Sequence, residues 1–330
     1  MPDFPFDVIV VILLRLPVKP LLRFSLILEN YTLSSVNFES LDNAVELDNP
    51  LKSDDFLTVI LGSCDGLICL INNGERELAI WNPSTRRCQK LPFTEDEYPG
   101  YATGAPHEIY GFGYDSVTDD YKLARFVQFL RRDDRDSFGS FVKVYSMKSN
   151  SWRRIEDFPY YLHCERFCGV LVCSALHWVV GRNLSDTANS VAAFDLTSED
   201  YKLVPQPEFS DNTFRMNIAE LGGCLCILCN HNKVRVDVWV MKDYGVKESW
   251  KKLFSVAQPE VIRSFKFVIP LAYSKSGVEV LLVQDYERLV CLVPLYGRGA
   301  LLDEQGETYG PDKDDKRKEK DTPNKMINSR

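Results

Sequence analysis

The sequence predicts a mainly β fold of β-propeller-like architecture, on three observations. Short apolar runs rich in β-branched and aromatic residues fill the chain from residue 56 onward, cut by Gly, Asn, Asp, Ser and Pro. No long amphipathic helix interrupts them, which disfavours alternating α/β architectures. Four hairpin-like segments line up at intervals of roughly 50 residues, the period of blades or arrays.

The 330 residues suffice for one large domain or two medium ones, and 19 Phe, 15 Tyr and 5 Trp lean towards β structure. A net charge of −8 argues against a nucleic-acid or anionic-membrane partner, which would call for a basic face. The apolar run from Val8 to Leu14 is too short to span a bilayer and follows Asp3 and Asp7 instead of basic residues. Neither a signal peptide nor a membrane segment is therefore expected. Without secretion, the ten Cys are expected to stay reduced.

Taken in chain order, the first element is helical. Val8, Ile9, Ile12, Leu13 and Leu16 follow helical spacing, with Pro5 suited to a first turn and Pro17 ending the run. Residues 1–24 are thus expected as two short helices, whose apolar face must rest on the β domain or on another protein.

Residues 25–299 are expected to form the β domain. Gly-led strands in "CDGLICLI", "CGVLVCSALHWVV" and "LGGCLCILCN" precede three of the hairpins. Each hairpin carries an aromatic at the end of one strand (Trp81, Tyr145, Phe194, Trp239), a polar turn, then Cys88, Trp152, Tyr201 or Trp250. Both strands are expected to place one large side chain inward. Strand, strand, hairpin is the economy of a propeller blade, and this span holds roughly six. A β-sandwich with coincidental hairpins is the alternative that the pattern leaves open. Residues 300–330, with the charge run "DKDDKRKEKD", are expected to be a disordered charged tail.

Chemistry-bearing clusters are scarce. In "GGCLCILCNHN", strand alternation points Cys224 and Cys226 one way and Cys229 and His231 the other, so one tetrahedral ion would need the strand broken. These are read as buried strand cysteines, as are Cys164, Cys168 and Cys173, and no metal is expected. His107, His163, His177 and His231 are scattered, and no phosphate-cradling Gly-Lys-Ser/Thr run is present. The acidic segments "SVTDDYK" and "RRDDRDS" read as turns and solvated loops. No catalytic activity and no cofactor are expected.

Specific motifs carry a resemblance. "FPFDVIVVILLRLPVKPLLRF" resembles the first half of the plant F-box motif. "LGSCDGLICL", "AIWNPSTRRCQKLP", "YGFGYDSVTDDYKLARFV", "VKVYSMKSNSWRRI" and "VDVWVMKDYGVKESWKKLFSV" resemble the type 1 F-box-associated domain, kelch-type in fold. The likeness, over about residues 5–295, is to plant F-box proteins of the constitutive-expresser-of-pathogenesis-related-genes type, regulators of defence. It implies the non-catalytic substrate-recognition subunit of an SCF ubiquitin ligase, in the cytoplasm or nucleus. Its partners would be an SKP-family adaptor, cullin through that adaptor, and a protein to be ubiquitylated. Matching the motif residue by residue assigns the adaptor face to Pro5, Ile9, Ile12, Leu13, Leu16, Pro17, Leu21 and Leu22. The motif breaks off after Phe24, where a third helix is replaced by "SLILENYTLSSVNFESL", so a stand-alone protein-binding propeller is the rival reading. Target contacts are expected on loops 94–107, 131–137 and 182–189. Their candidate residues are Tyr98, Tyr101, His107, Arg131, Arg132, Arg135 and Arg182.

Overall fold

The structure, a computed structural model, describes residues 9–14, 24–29, 32–37, 40–53, 55–72, 74–95, 99, 102–131, 134–163, 168–186, 190–209, 213–257, 268–273, 277, 279–284, 288–292, 301–302 and 308–309. Described side chains lie between 46 and 284, outside 103–105 and 132–136.

Among the described residues, six antiparallel sheets of three or more strands follow one another along the chain. The first holds β1 (Ile9–Leu14), β2 (Phe24–Glu29), β3 (Thr32–Asn37) and β4 (Ser40–Leu47). The second holds β5 (Thr58–Cys64), β6 (Leu67–Asn72), β7 (Glu77–Asn82) and β8 (Arg87–Lys90). The third has the longest strands, β9 (Ala102–Asp115), β10 (Asp120–Arg131) and β11 (Asp134–Ser146), with β12 (Ser151–Ile155) outermost. The fourth comprises β13 (Tyr161–Leu162), β14 (Val170–Val172), β15 (Ala175–Gly181), β16 (Ser190–Asp195) and β17 (Tyr201–Leu203). The fifth comprises β18 (Arg215–Leu221), β19 (Cys224–His231), β20 (Arg235–Met241) and β21 (Trp250–Ala257). The sixth has β22 (Val268–Tyr273), β23 (Val280–Gln284) and β24 (Arg288–Leu292).

First strands meet around a ring. β1 packs on β5, β5 on β9, β9 on β14 and β15, these on β18, β18 on β22, and β22 back on β1. The sheets are therefore blades of a propeller, and a sandwich is ruled out. The core lies between blades, because one sheet cannot cover both its faces. Phe112 and Leu123 of blade three pack with Cys69 and Ile80 of blade two. Phe126 packs with Trp178 and Phe194 of blade four, and Val240 of blade five with Leu282 of blade six.

The hairpin reading holds in register for three blades: Trp81 pairs with Cys88, Tyr145 with Trp152 and Phe194 with Tyr201. Trp81, Tyr145 and Phe194 are buried as expected. In blades three, four and five the second aromatic of the hairpin reaches the chain of the preceding blade. Trp152 donates its indole N–H to the Pro92 carbonyl at 2.9 Å, Tyr201 its hydroxyl to Glu156 at 2.8 Å, and Trp250 its indole to Pro205 at 2.7 Å. Each latches its outer strand to the segment leaving the previous blade. In blade five the turn 242–249 closes on the pair Met241–Trp250, which leaves Trp239 opposite Lys252, and a bulge between Val238 and Trp239 shifts the register beyond that point.

Two expectations at the ends are corrected. Ile9–Leu14 is a strand, not a helix: Ile9, Val10, Val11 and Ile12 are β-branched, stiff side chains that fit a pleated ladder, and pairing with β2 completes blade one. Within the supposed disordered tail, Leu301–Leu302 pairs with Thr308–Tyr309, two short apolar and β-favouring segments. The charge run 312–321 lies outside the described residues.

Candidate functional site

β1 carries three residues of the expected adaptor face. Ile9 lies opposite Leu28, Leu13 opposite Ser25, and Ile12 at the bulge between Val11 and Leu13. The expected helical face is thus replaced here by a strand paired along its length. Pro5, Leu16, Pro17, Leu21 and Leu22 lie outside the described residues.

The expected target loops are shorter than the sequence suggested. β9 begins at Ala102, so His107 is a strand residue, exposed and opposite Gln128. β11 begins at Asp134, which faces the exposed Arg131 across the hairpin; Arg135 lies on β11. Both corrections have one cause: polar and charged residues at the end of a long hairpin can pair backbone while their side chains stay in water. Arg182 is exposed in a true loop, its backbone N–H donating to Asp186 Oδ2 at 2.9 Å. Tyr98, Tyr101 and Arg132 lie outside the described residues.

The structure brings His107, Arg131 and Arg182 to neighbouring ends of blades three and four. Gln128, opposite His107, donates to the Tyr160 carbonyl at 2.7 Å and accepts the Leu162 N–H at 2.9 Å. Leu162 pairs with Val180, and Tyr161 with Gly181, next to Arg182. Phe138 packs edge-on to Tyr161, which packs on the His163 ring. Gly181 admits that ring: an added Cβ would lie 2.4 Å from His163 Nε2. No local sequence signal marks Phe138, Tyr161 and His163 as site residues, because their adjacency exists only once β13 pairs with β15.

Ion pairs brace this surface. Glu108, next to His107, accepts from Tyr110 at 2.7 Å, from Arg125 at 3.1 Å, and from Arg76 of blade two. At the opposite end of β9, Asp115 and Asp120 are buried. The reading of "SVTDDYK" as a turn and solvated loop holds for residues 116–119, which form an exposed turn, and is corrected at Asp120 and Lys122, which are buried. Asp115 accepts from Lys122 at 2.9 Å, Thr118 at 2.6 Å and Thr197 at 2.7 Å. Burial pushes its carboxyl up, but the hydrogen bonds from Thr118, Thr197 and Lys122 outweigh it and hold the group well below the usual carboxylate range. Lys122 also reaches the Leu196 carbonyl at 2.6 Å, fastening blade three to blade four.

The cysteine reading is upheld for β19: Cys226 and Cys224 face the cluster shared with blade six, Cys229 the one shared with blade four. Burial pushes the Cys229 thiol up to about 12, so it stays protonated and inert. Cys173 departs from that reading: it is exposed, at φ 49° in the tight turn between β14 and β15. Cys164 lies outside the described residues. Among the described residues no group of three or more His, Cys, Asp or Glu could hold a metal, and no helix is long and apolar enough to cross a membrane. What the arrangement offers chemically is a rigid ring presenting polar and aromatic side chains at loop ends.

A family profile described as the F-box associated beta propeller domain matches residues 23–298. The F-box protein CPR1 of Arabidopsis thaliana is 41% identical over 276 residues, covering 78% of this chain and 66% of that protein. The F-box protein At4g22390 of the same plant is 36% identical over 263 residues, covering 76% and 65%. The chain thus spans just under two thirds of the length of these relatives. Among solved structures, the N-terminal domain of Nup159 superposes with a TM-score of 0.35 at 13% identity, over 86% of this chain and 75% of that one.

Proposed function

The chain belongs to the F-box associated beta propeller family, and from that premise we propose that it is the substrate-recognition subunit of an SCF-type E3 ubiquitin ligase. The supporting observation is the hairpin repeat closed into a ring of six blades, most of it within the family match. On this reading the propeller holds a protein destined for ubiquitylation. The chain itself makes and breaks no bond; it raises the effective concentration of a target lysine near a charged conjugating enzyme. Target contacts are assigned to Tyr98, Tyr101, His107, Arg131, Arg132, Arg135 and Arg182. The SKP-family adaptor, and cullin through it, would be reached through Pro5, Ile9, Ile12, Leu13, Leu16, Pro17, Leu21 and Leu22. Such work belongs in the cytoplasm or nucleus.

One observation favours a second reading. Ile9, Ile12 and Leu13 lie on β1, and a backbone paired with β2 is not free to dock elsewhere. A chain held in that state binds its target without delivering it to a ligase. A pull-down with an SKP-family adaptor and cullin decides between the two, using this chain beside a version with a complete F-box placed ahead of residue 25. Capture of both supports the receptor; capture of the completed version alone supports the stand-alone binder; capture of neither overturns the ligase role.

A further inference from the structure

Blade five departs from blades two and three at two neighbouring places. The turn joining the last two strands is four residues in blades two and three, 83–86 and 147–150, but in blade five it runs from 242 to 249 and holds a short 3-10 turn, Lys247–Ser249. An insertion confined to one repeat of a propeller is where a binding surface is built. This one is ordered. Ser249 Oγ donates to the carbonyls of Asp243 at 2.9 Å and Val246 at 2.8 Å, and Tyr244 is held by His177 of blade four at 2.7 Å. The bulge between Val238 and Trp239 acts with it, since a bulge re-aims the side chains beside it. Trp239 is only partly buried, whereas Trp81, Tyr145 and Phe194 are enclosed.

Together these departures form an open groove of about 290 Å³ lined by Trp239, Trp250, Pro207, Glu208, Lys247 and Glu248. Its charges are uneven. Lys247 is taken by Glu208 at 2.9 Å, while Glu248 has no ion-pair partner among the described residues. A half-open indole beside two carboxylates that share a single lysine suits a second cation, which gains from the ring face and from the surplus negative charge together.

We propose that this groove is a second protein-docking site, taking an extended segment of a partner protein that carries an arginine or lysine, its cation set against Trp239 and Glu248. The site is distinct from the His107, Arg131 and Arg182 surface. It deepens the target-binding reading and rests on it only for the identity of the partner. The test is a titration of the full chain, its tryptophans labelled with 15N, by a capped nine-residue peptide with one central arginine between alanines, and by its citrulline counterpart. The expected result is a saturable shift of the Trp239 indole resonance, about tenfold weaker with citrulline. Glu248→Lys, a change at an exposed residue, should abolish the shift while leaving the other indole resonances in place. Equal binding of the two peptides, no shift at millimolar peptide, or binding unchanged by Glu248→Lys would overturn the proposal. Adaptor capture is read separately, so failure of the ligase reading leaves this result standing.

Discussion

The indole N–H of Trp250 donates to the Pro205 carbonyl at 2.7 Å, tying the outer strand of blade five to the segment that leaves blade four. Trp152 makes the same bond to Pro92 at 2.9 Å. Trp250 is buried and Trp152 is not. Trp250→Phe should therefore cost about 1–3 kcal/mol, because the bond lost is partly buried, and Trp152→Phe less than about 1 kcal/mol, because its bond is exposed and water replaces the donor. Guanidinium unfolding midpoints check the order; equal losses would mean that the latch bond is not what sets the cost.

Lys122 is the buried cation between Asp115 and Glu199, at 2.9 and 3.3 Å. Lys122→Met strands the Asp115 carboxylate in the interior and should cost about 3–5 kcal/mol. Adding Asp115→Asn removes the stranded charge and should recover part of that. A double variant no more stable than the single one, in thermal unfolding, would contradict the pairing.

His177 is fully enclosed, with Nδ1 3.0 Å from the Val170 carbonyl and Nε2 2.7 Å from the Tyr244 hydroxyl. The carbonyl only accepts, so Nδ1 carries the proton, and Nε2 accepts from Tyr244. Burial pulls the imidazole down from its usual 6.5 to about 4. The unfolded chain therefore binds a proton that the folded chain refuses, and stability is full above pH 6.5 and drains away as pH falls towards 4. The full loss is about 3 kcal/mol. Chemical denaturation from pH 7 to 4.5 should show this slope, and His177→Gln should flatten it.

Gly62 on β5 lies where the first strands of blades two and three converge. An added Cβ would sit 2.9 Å from Phe112 Cβ and 3.4 Å from its backbone nitrogen, neither of which can swing aside. Gly62→Ala should cost about 1–3 kcal/mol through overpacking, measurable as a lowered thermal midpoint.

Removing residues 1–14 should expose one edge of β2 and break the contact of β22 with β1. Amide hydrogen exchange should then rise in β2 and β22 and stay unchanged in β10. Unchanged protection of β2 and β22 would show that β1 does not close the ring.

The repeat was legible because a blade writes itself locally. Trp81 with Cys88, Tyr145 with Trp152, and Phe194 with Tyr201 are each cross-strand neighbours joined by a short turn, so spacing along the chain equals pairing in space. The same logic failed at Trp239, because the longer turn closes on Met241 and Trp250 and leaves Trp239 opposite Lys252. At Ile9–Leu14 two periods overlapped: the apolar positions satisfy a helical stripe and the β-branched run satisfies a strand. Neither pattern contains the deciding fact, which is that β2 and β22 offer that segment a place.

By itself, then, the sequence determined the β class, the blade period, the family and the enclosed aromatics of blades two to four, since all of these rest on contacts between near neighbours in the chain. Only the tertiary structure decided that Trp152, Tyr201 and Trp250 latch one blade to the next, that Asp115 and Lys122 are buried, and that His107, Arg131 and Arg182 share a surface. Each of those depends on which residues of one blade come to lie against another, and that is set by closure of the ring, not by the order of residues within any one repeat.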